Sequence, residues 1–243
     1  MTERISSMGP DQLLAVAESE GLDDRQAIEI LRNPHCSAEM AERVAGHPRL
    51  LGSDRIRRLV CAVRGMPTPR VADLVGTLPW LGLLQLAQDP KTPPTVRRMA
   101  ERRLLLRLPK LTLGEKIGLA RRTHRALYGP LVATADAQVV VALLENPRLT
   151  ETDVVEFLNS GNPHPMLFSA VLRSPRWAPR RGIRMAMARN RSTPLPVALS
   201  ALAELGPGEL RGLAEDPGLP EGVRNGVLGL LKKRGNILGK TVL

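Results

Sequence analysis

The sequence predicts an all-α chain, an α-solenoid of short irregular units arranged as a tandem duplication, and three observations predict it. Aromatic residues make up 2% of the 243 positions and apolar residues 43%, so Leu, Val, Ala and Met must fill the core. Such an interior suits helices packed on helices, because β-sandwiches draw on β-branched and aromatic side chains. With 21 prolines and 21 glycines, the helices must be short and often interrupted. Finally, residues 86–97 (LAQDPKTPPTVR) return as residues 213–224 (LAEDPGLPEGVR), 127 positions later.

Taken in order, residues 1–24 form an acidic leader and helix with a net charge of −5. Asp11 is placed to cap a helix over residues 13–19 that Gly21 stops. A second helix begins near Asp24, carries Ala27, Ile28 and Leu31 on one face, and ends before Asn33-Pro34. The same punctuation then recurs at His47-Pro48, Met66-Pro67, Asp89-Pro90, Asn146-Pro147, Asn162-Pro163, Ser174-Pro175 and Asp216-Pro217. Thr68-Pro69, Thr92-Pro93 and Thr193-Pro194 each offer a capping hydroxyl before a proline suited to the first helical turn. Thr112 with Glu115, and Thr150 with Asp153, have the spacing of capping boxes.

Laid on itself at an offset of 127, the chain matches without a gap from Val44/Val171 to Leu104/Leu231. The matches include Arg49/Arg176, Ile56/Ile183, Arg57/Arg184, Pro67/Pro194, Asp89/Asp216 and Arg97/Arg224. The expected organisation is one helical copy over 25–108, a basic helical joint over 109–137, a second copy over 138–235 and a tail over 236–243. Residues 31–34 (LRNP) match 144–147 (LENP) at a shorter offset, which predicts an extra short helix in the second copy near residues 150–163. Within each copy, Pro67 to Pro90 and Pro194 to Pro217 repeat a shorter unit of helical size, the signature of stacked units that bury their faces against neighbours.

The run Leu-Ala-x-Asp-Pro followed by Pro and Val-Arg resembles the bacterial leucine-rich repeat variant proteins and, more loosely, HEAT-like repeats. The resemblance implies a curved, right-handed α-solenoid that serves mainly as a binding surface. The chain departs from a regular array in its variable unit length and in Gly222, Gly226 and Gly229, which share one helical face. Those glycines imply close helix approach or a weak helix end.

Charge locates the candidate surface. Of the net +11, residues 97–125 carry +8. Residues matched between the copies are expected to serve folding, with Arg97 and Arg224 pairing with Asp89 and Asp216 or capping carbonyls. Residues present in one copy are the better binding candidates: Arg98, Arg102 and Arg103, then Arg107, Arg121, Arg122 and Arg125. A second cluster holds Arg180 and Arg181 beside Trp177, which fits either a core position or an exposed anchor. A basic centre attracts an acidic protein, nucleic-acid phosphates or anionic lipid.

Catalysis and cofactors find no foothold in the sequence. Cys36 and Cys61 form neither a metal spacing nor a disulfide framework, and the four histidines have no ligand spacing with acids or thiols. The N-terminus lacks a signal-peptide pattern, and the longest apolar run, 139–144, is far short of the ~20 residues that cross a bilayer. The expectation is a cytoplasmic, non-enzymatic scaffold that binds a protein partner, an acidic one by charge. The alternatives are a nucleic-acid binder using residues 97–125 and, on architectural analogy alone, a HEAT-like-repeat DNA glycosylase using Trp80 and Trp177.

Overall fold

The computed structural model describes residues 5–160 and 163–240, with residue 6 and residues 235–240 as backbone only. Among these the chain is all-helical, with sixteen α-helices and no strand. It divides into two compact units, one ending at Glu115 and the other starting at Lys116. The first contains α1 (Pro10–Ala17), α2 (Asp24–Arg32), α3 (Ala38–Ala45), α4 (Asp54–Ala62), α5 (Thr68–Thr77), α6 (Trp80–Gln88) and α7 (Pro94–Arg107). The division falls within α8 (Leu113–Ala120), and the short α9 (Tyr128–Val132) follows. The second unit continues with α10 (Ala137–Leu144), α11 (Glu151–Leu158), α12 (Pro165–Arg173) and α13 (Arg181–Arg189). It ends with α14 (Leu195–Leu202), α15 (Pro207–Ala214) and α16 (Glu221–Lys240).

Each of α1 to α7 starts 127 residues before its counterpart in α10 to α16. The correspondence therefore begins earlier than residue 25, inside the segment read as a leader. It also leaves no extra helix in the second unit, because α11 is the counterpart of α2. The match that implied one joins the stop after α2 to the stop after α10, which are different positions in the series. The residues read as a tail continue α16 as far as Lys240, and residues 241–243 lie outside the described residues.

Helices pack on their chain neighbours and on the helix after next. In the first unit α2, α4 and α6 form one row, while α1 meets α3 and α5 meets α7. In the second, α10, α12, α14 and α16 form a continuous row, and α11 meets α13. The core is aliphatic, with Ile30, Ile56, Val60, Leu83 and Leu104 in the first unit and Val154, Ile183, Leu202 and Leu213 in the second. Helices this short, eight or nine residues in most cases, are not stable alone and persist by burying these faces.

The recurring Asn and Asp stops have a common mechanism. The side-chain oxygen accepts the backbone N–H two residues on: His35 for Asn33, Lys91 for Asp89, Arg148 for Asn146, Ser192 for Asn190 and Gly218 for Asp216. This closes an Asx turn and ends the helix. Where the residue is Asn, its amide also donates to a backbone carbonyl of an earlier segment. Asn33 reaches Ile5 O, Asn146 reaches Ala120 O (2.8 Å) and Thr123 O (3.0 Å), and Asn190 reaches Leu158 O. Asp lacks that donor, and Asp216 instead accepts from Arg189 at 2.9 Å. The Asn162-Pro163 stop involves Asn162, which lies outside the described residues.

The helix starts follow the sequence in part. The boxes Thr112–Glu115 and Thr150–Asp153 form with both hydrogen bonds in place. At α5, α7 and α14 the cap is instead Pro67, Pro93 or Pro194, with no side-chain bond. The prolines' restricted φ sets the chain entering the helix, and the Thr92 and Thr193 hydroxyls are buried without a partner. Similarly, α1 starts at Pro10 behind Gly9, which puts Asp11 in its first turn.

Candidate interaction surface

On α7, Val96, Ala100 and Leu104 are buried at a spacing of four, and that choice of face decides where the basic residues point. Arg98, Arg102 and Arg103 are exposed, as are Leu105 and Leu106, the latter at 62%. The helix thus exposes apolar and cationic side chains together. On α16 the counterparts of Arg98 and Arg102 are Asn225 and Gly229, and those of Leu105 and Leu106 are Lys232 and Lys233.

Between α5 and α7 lies an open groove of about 530 Å³, with Val75, Met99 and Leu106 as apolar lining and Arg102, Arg103 and Asp73 among its polar groups. The same helix pair in the second unit is packed with the sizes reversed. There Leu199 of α14 lies against Gly226 of α16, so close that a Cβ on that glycine would overlap it. In the first unit the corresponding residues are Ala72 and Met99. The small residue has moved to α5 and the larger one to α7.

Most of the other basic candidates are engaged by groups of their own unit. Arg107 turns inward and donates to the carbonyls of Gly76 and Leu78, while Arg103 makes a longer bond to Gly76 O at 3.4 Å. Desolvation, then the neighbouring Arg103 charge, lowers the Arg107 pKa from its usual value. Arg121 pairs with Glu145 at 3.2 Å. Arg125 pairs with Asp153 and Glu156 at 3.2 and 2.7 Å, and the Glu156 hydrogen bond leads the causes that raise its pKa. Arg122 is exposed. Arg180 meets Glu151 at 3.4 Å, and Arg181 pairs with Glu209. The basic run 97–125 is thus divided between the two units, and Arg121 and Arg125 meet acids of their own unit.

Trp177 is a core residue. It is 1% exposed, and its indole N–H donates to Leu144 O at 2.8 Å, with the Arg176 guanidinium 4.2 Å above the ring. The counterpart of that carbonyl, Ala17 O, is met by His47 Nε2 at 3.2 Å. One helix end is therefore satisfied by different residues in the two units, so presence in one unit alone does not mark a residue for binding.

Several matched arginines act on carbonyls, whereas Arg57 pairs with the Asp54 carboxylate. Arg49 donates to Leu22 O and Arg176 to Leu149 O, at 3.0 and 2.7 Å, and these acceptors are themselves counterparts. Arg224 donates to Ala214 O and Asp216 O, both at 2.6 Å, rather than to the Asp216 carboxylate. Arg107 has a counterpart too: Arg234 donates to Ala203 O and Leu205 O. That match lies three positions beyond Leu104/Leu231, and extending the register would have removed Arg107 from the binding candidates.

No family model, curated protein sequence or solved structure matches this chain. The functional reading therefore rests on the geometry. Among the described residues no three His, Cys, Asp or Glu side chains are grouped to hold a metal ion, and no helix is long and apolar enough to cross a membrane.

Proposed function

We propose that the protein is a non-enzymatic helical-repeat scaffold of the cytoplasm that binds a protein partner. Its units are of the HEAT-like or leucine-rich-repeat-variant kind, built as a tandem duplication into an α-solenoid. The constant 127-residue spacing of seven helix starts supports the duplication, and the next-but-one packing within each unit supports stacked repeats. The observation that carries the binding role is the exposed face of α7. Arg98, Arg102, Leu105 and Leu106 stand there, where α16 has Asn225, Gly229, Lys232 and Lys233. An apolar and cationic face on a helix whose other side is already packed is surface without a folding role.

A nucleic-acid reading draws on the net charge of +11. It requires duplex affinity that falls steeply with salt and weakens when Arg98 and Arg102 become Glu. Affinity capture from the native host, with and without nuclease, separates the two readings. A protein retained directly after nuclease treatment, and bound again when purified, supports the scaffold. Capture that disappears with nuclease overturns it.

A further inference from the structure

The groove between α5 and α7 differs from its counterpart in a way that indicates what it would hold. The two helices cross in both units, and in the second the contact is closed by Leu199 against Gly226. In the first, Ala72 and Met99 stand at those positions, and the groove of about 530 Å³ is lined by Ala72 and Val75 of α5 and by Met99 and Leu106 of α7. A side chain of leucine size from another molecule would pack against this apolar lining. The lining is apolar enough to desolvate it, and each such side chain buried from water contributes favourably.

The rim sets the charge of the visitor. Arg102 is exposed on the groove wall, and Arg98 stands one turn before it on the same helix. Arg103 also lines the groove, with one hydrogen bond to Gly76 O at 3.4 Å, longer than the normal range. Asp73 is the single acid in the lining. Guanidinium groups favour carboxylates because their planar N–H fork matches two oxygens. Phosphate satisfies the same arginines but brings nothing to an apolar floor, which argues against nucleic acid at this place.

We infer that the α5–α7 groove is a docking site for an acidic amphipathic segment of a partner protein, whose leucine-like side chain enters beside Ala72 and Met99 while its carboxylates pair with Arg102 and Arg98. This rests on the scaffold reading and adds to it the location and the chemistry of the partner. Recognition of this type reads a helix or extended segment through one or two apolar anchors flanked by charge. The pairing sets specificity and the rate of encounter more than it sets affinity.

The test is selection from a random 16-residue peptide library displayed on phage, with the full-length chain as bait. Enriched sequences are then remeasured by fluorescence anisotropy against two variants. Ala72→Leu enlarges a side chain of the lining and narrows the groove from the α5 side. Arg102→Glu leaves the groove shape alone and reverses the rim. Circular dichroism and a thermal melt establish that both variants fold. The expected result is enrichment of acidic peptides carrying a leucine-class anchor, with affinity reduced at least tenfold by each variant and a salt-sensitive binding constant.

A methyl NMR spectrum, with the Met99 signal assigned through Met99→Leu, should show that signal moving as peptide is added. Enrichment of basic or anchor-free peptides, acidic binders indifferent to both variants, an unmoved Met99 signal, or no enrichment would each overturn the proposal. If a protein captured from the host binds Ala72→Leu and Arg102→Glu as tightly as wild type, the groove is wrong and the scaffold stands. Loss of all capture on nuclease treatment removes the scaffold reading itself.

Discussion

Arg107 and Arg234 make the same pair of hydrogen bonds 127 residues apart: each spans two carbonyls at the end of the helix before last, Gly76 and Leu78 for one, Ala203 and Leu205 for the other. The last carbonyls of a helix have no partner within it, and a guanidinium fork fits two at once. Replacing either arginine by Met keeps the apolar stem and removes both bonds. The expected loss is about 1–2 kcal/mol, toward the low end because both side chains are half-exposed. Lysine should restore only part of it. Each unit holds one tryptophan, Trp80 in the first and Trp177 in the second, so urea unfolding followed in single-tryptophan backgrounds assigns the loss to the unit in which the arginine sits.

Trp177 and His47 satisfy corresponding carbonyls, which yields a transplant experiment. Trp177→Leu should cost about 3–5 kcal/mol, since it removes a fully buried ring and leaves Leu144 O without its donor. Adding Ser174→His to that variant recreates the His47 and Leu50 pair of the first unit. A recovery of about 1 kcal/mol in a denaturant melt is expected, and equal stability of the single and double variants would show that the carbonyl bond carries no weight.

Much of the helical organisation was legible because its signals are local. Proline and Asx stops, capping boxes and the register of matched residues all act within a turn or two, and they placed most helices. The side-chain bonds between units of the repeat were not legible, because the acceptors lie 23 to 33 residues back and carbonyls leave no trace in a sequence. Arg107 was misread for that reason, and the choice between core and anchor at Trp177 stayed open for it. Charge summed over residues 97–125 also misled, because Arg121 and Arg125 meet acids at the end of α10 and on α11 that neighbour them only in space. The groove at Ala72 and Met99 escaped notice because it is a difference in volume between matched positions rather than a motif.

The two thiols make stability sensitive to base. Burial pushes Cys36 up to about 11 and Cys61 up to about 12, the latter against the opposing pull of Arg57. An unfolded thiol ionises near its ordinary value of 9, so above that pH the unfolded chain loses protons that the folded chain keeps. The folded state is unaffected below pH 9 and loses stability progressively toward pH 12. Cys61→Ala should flatten this decline while lowering stability at pH 7 through the lost side chain. Melts at pH 7, 9 and 10.5 check it, and parallel slopes for the two proteins would contradict the assignment.

Gly226 and Gly229 lie on one side of α16 but meet different surroundings. A Cβ at Gly229 meets nothing within 4 Å, whereas one at Gly226 overlaps the Leu199 methyl that seats against α16. Gly229→Ala should therefore stabilise the protein by about 0.5–1 kcal/mol through helix propensity alone. Gly226→Ala gains the same propensity but must turn Leu199 outward, which gives up its packing and raises its exposure above the present 37%. The difference between the two variants, measured as a shift in urea midpoint, reads the value of the close contact. It should vanish in a Leu199→Ala background, where nothing opposes the added methyl. If the two substitutions are equivalent in the native background as well, the glycine contact is incidental and the comparison with Ala72 and Met99 loses its basis.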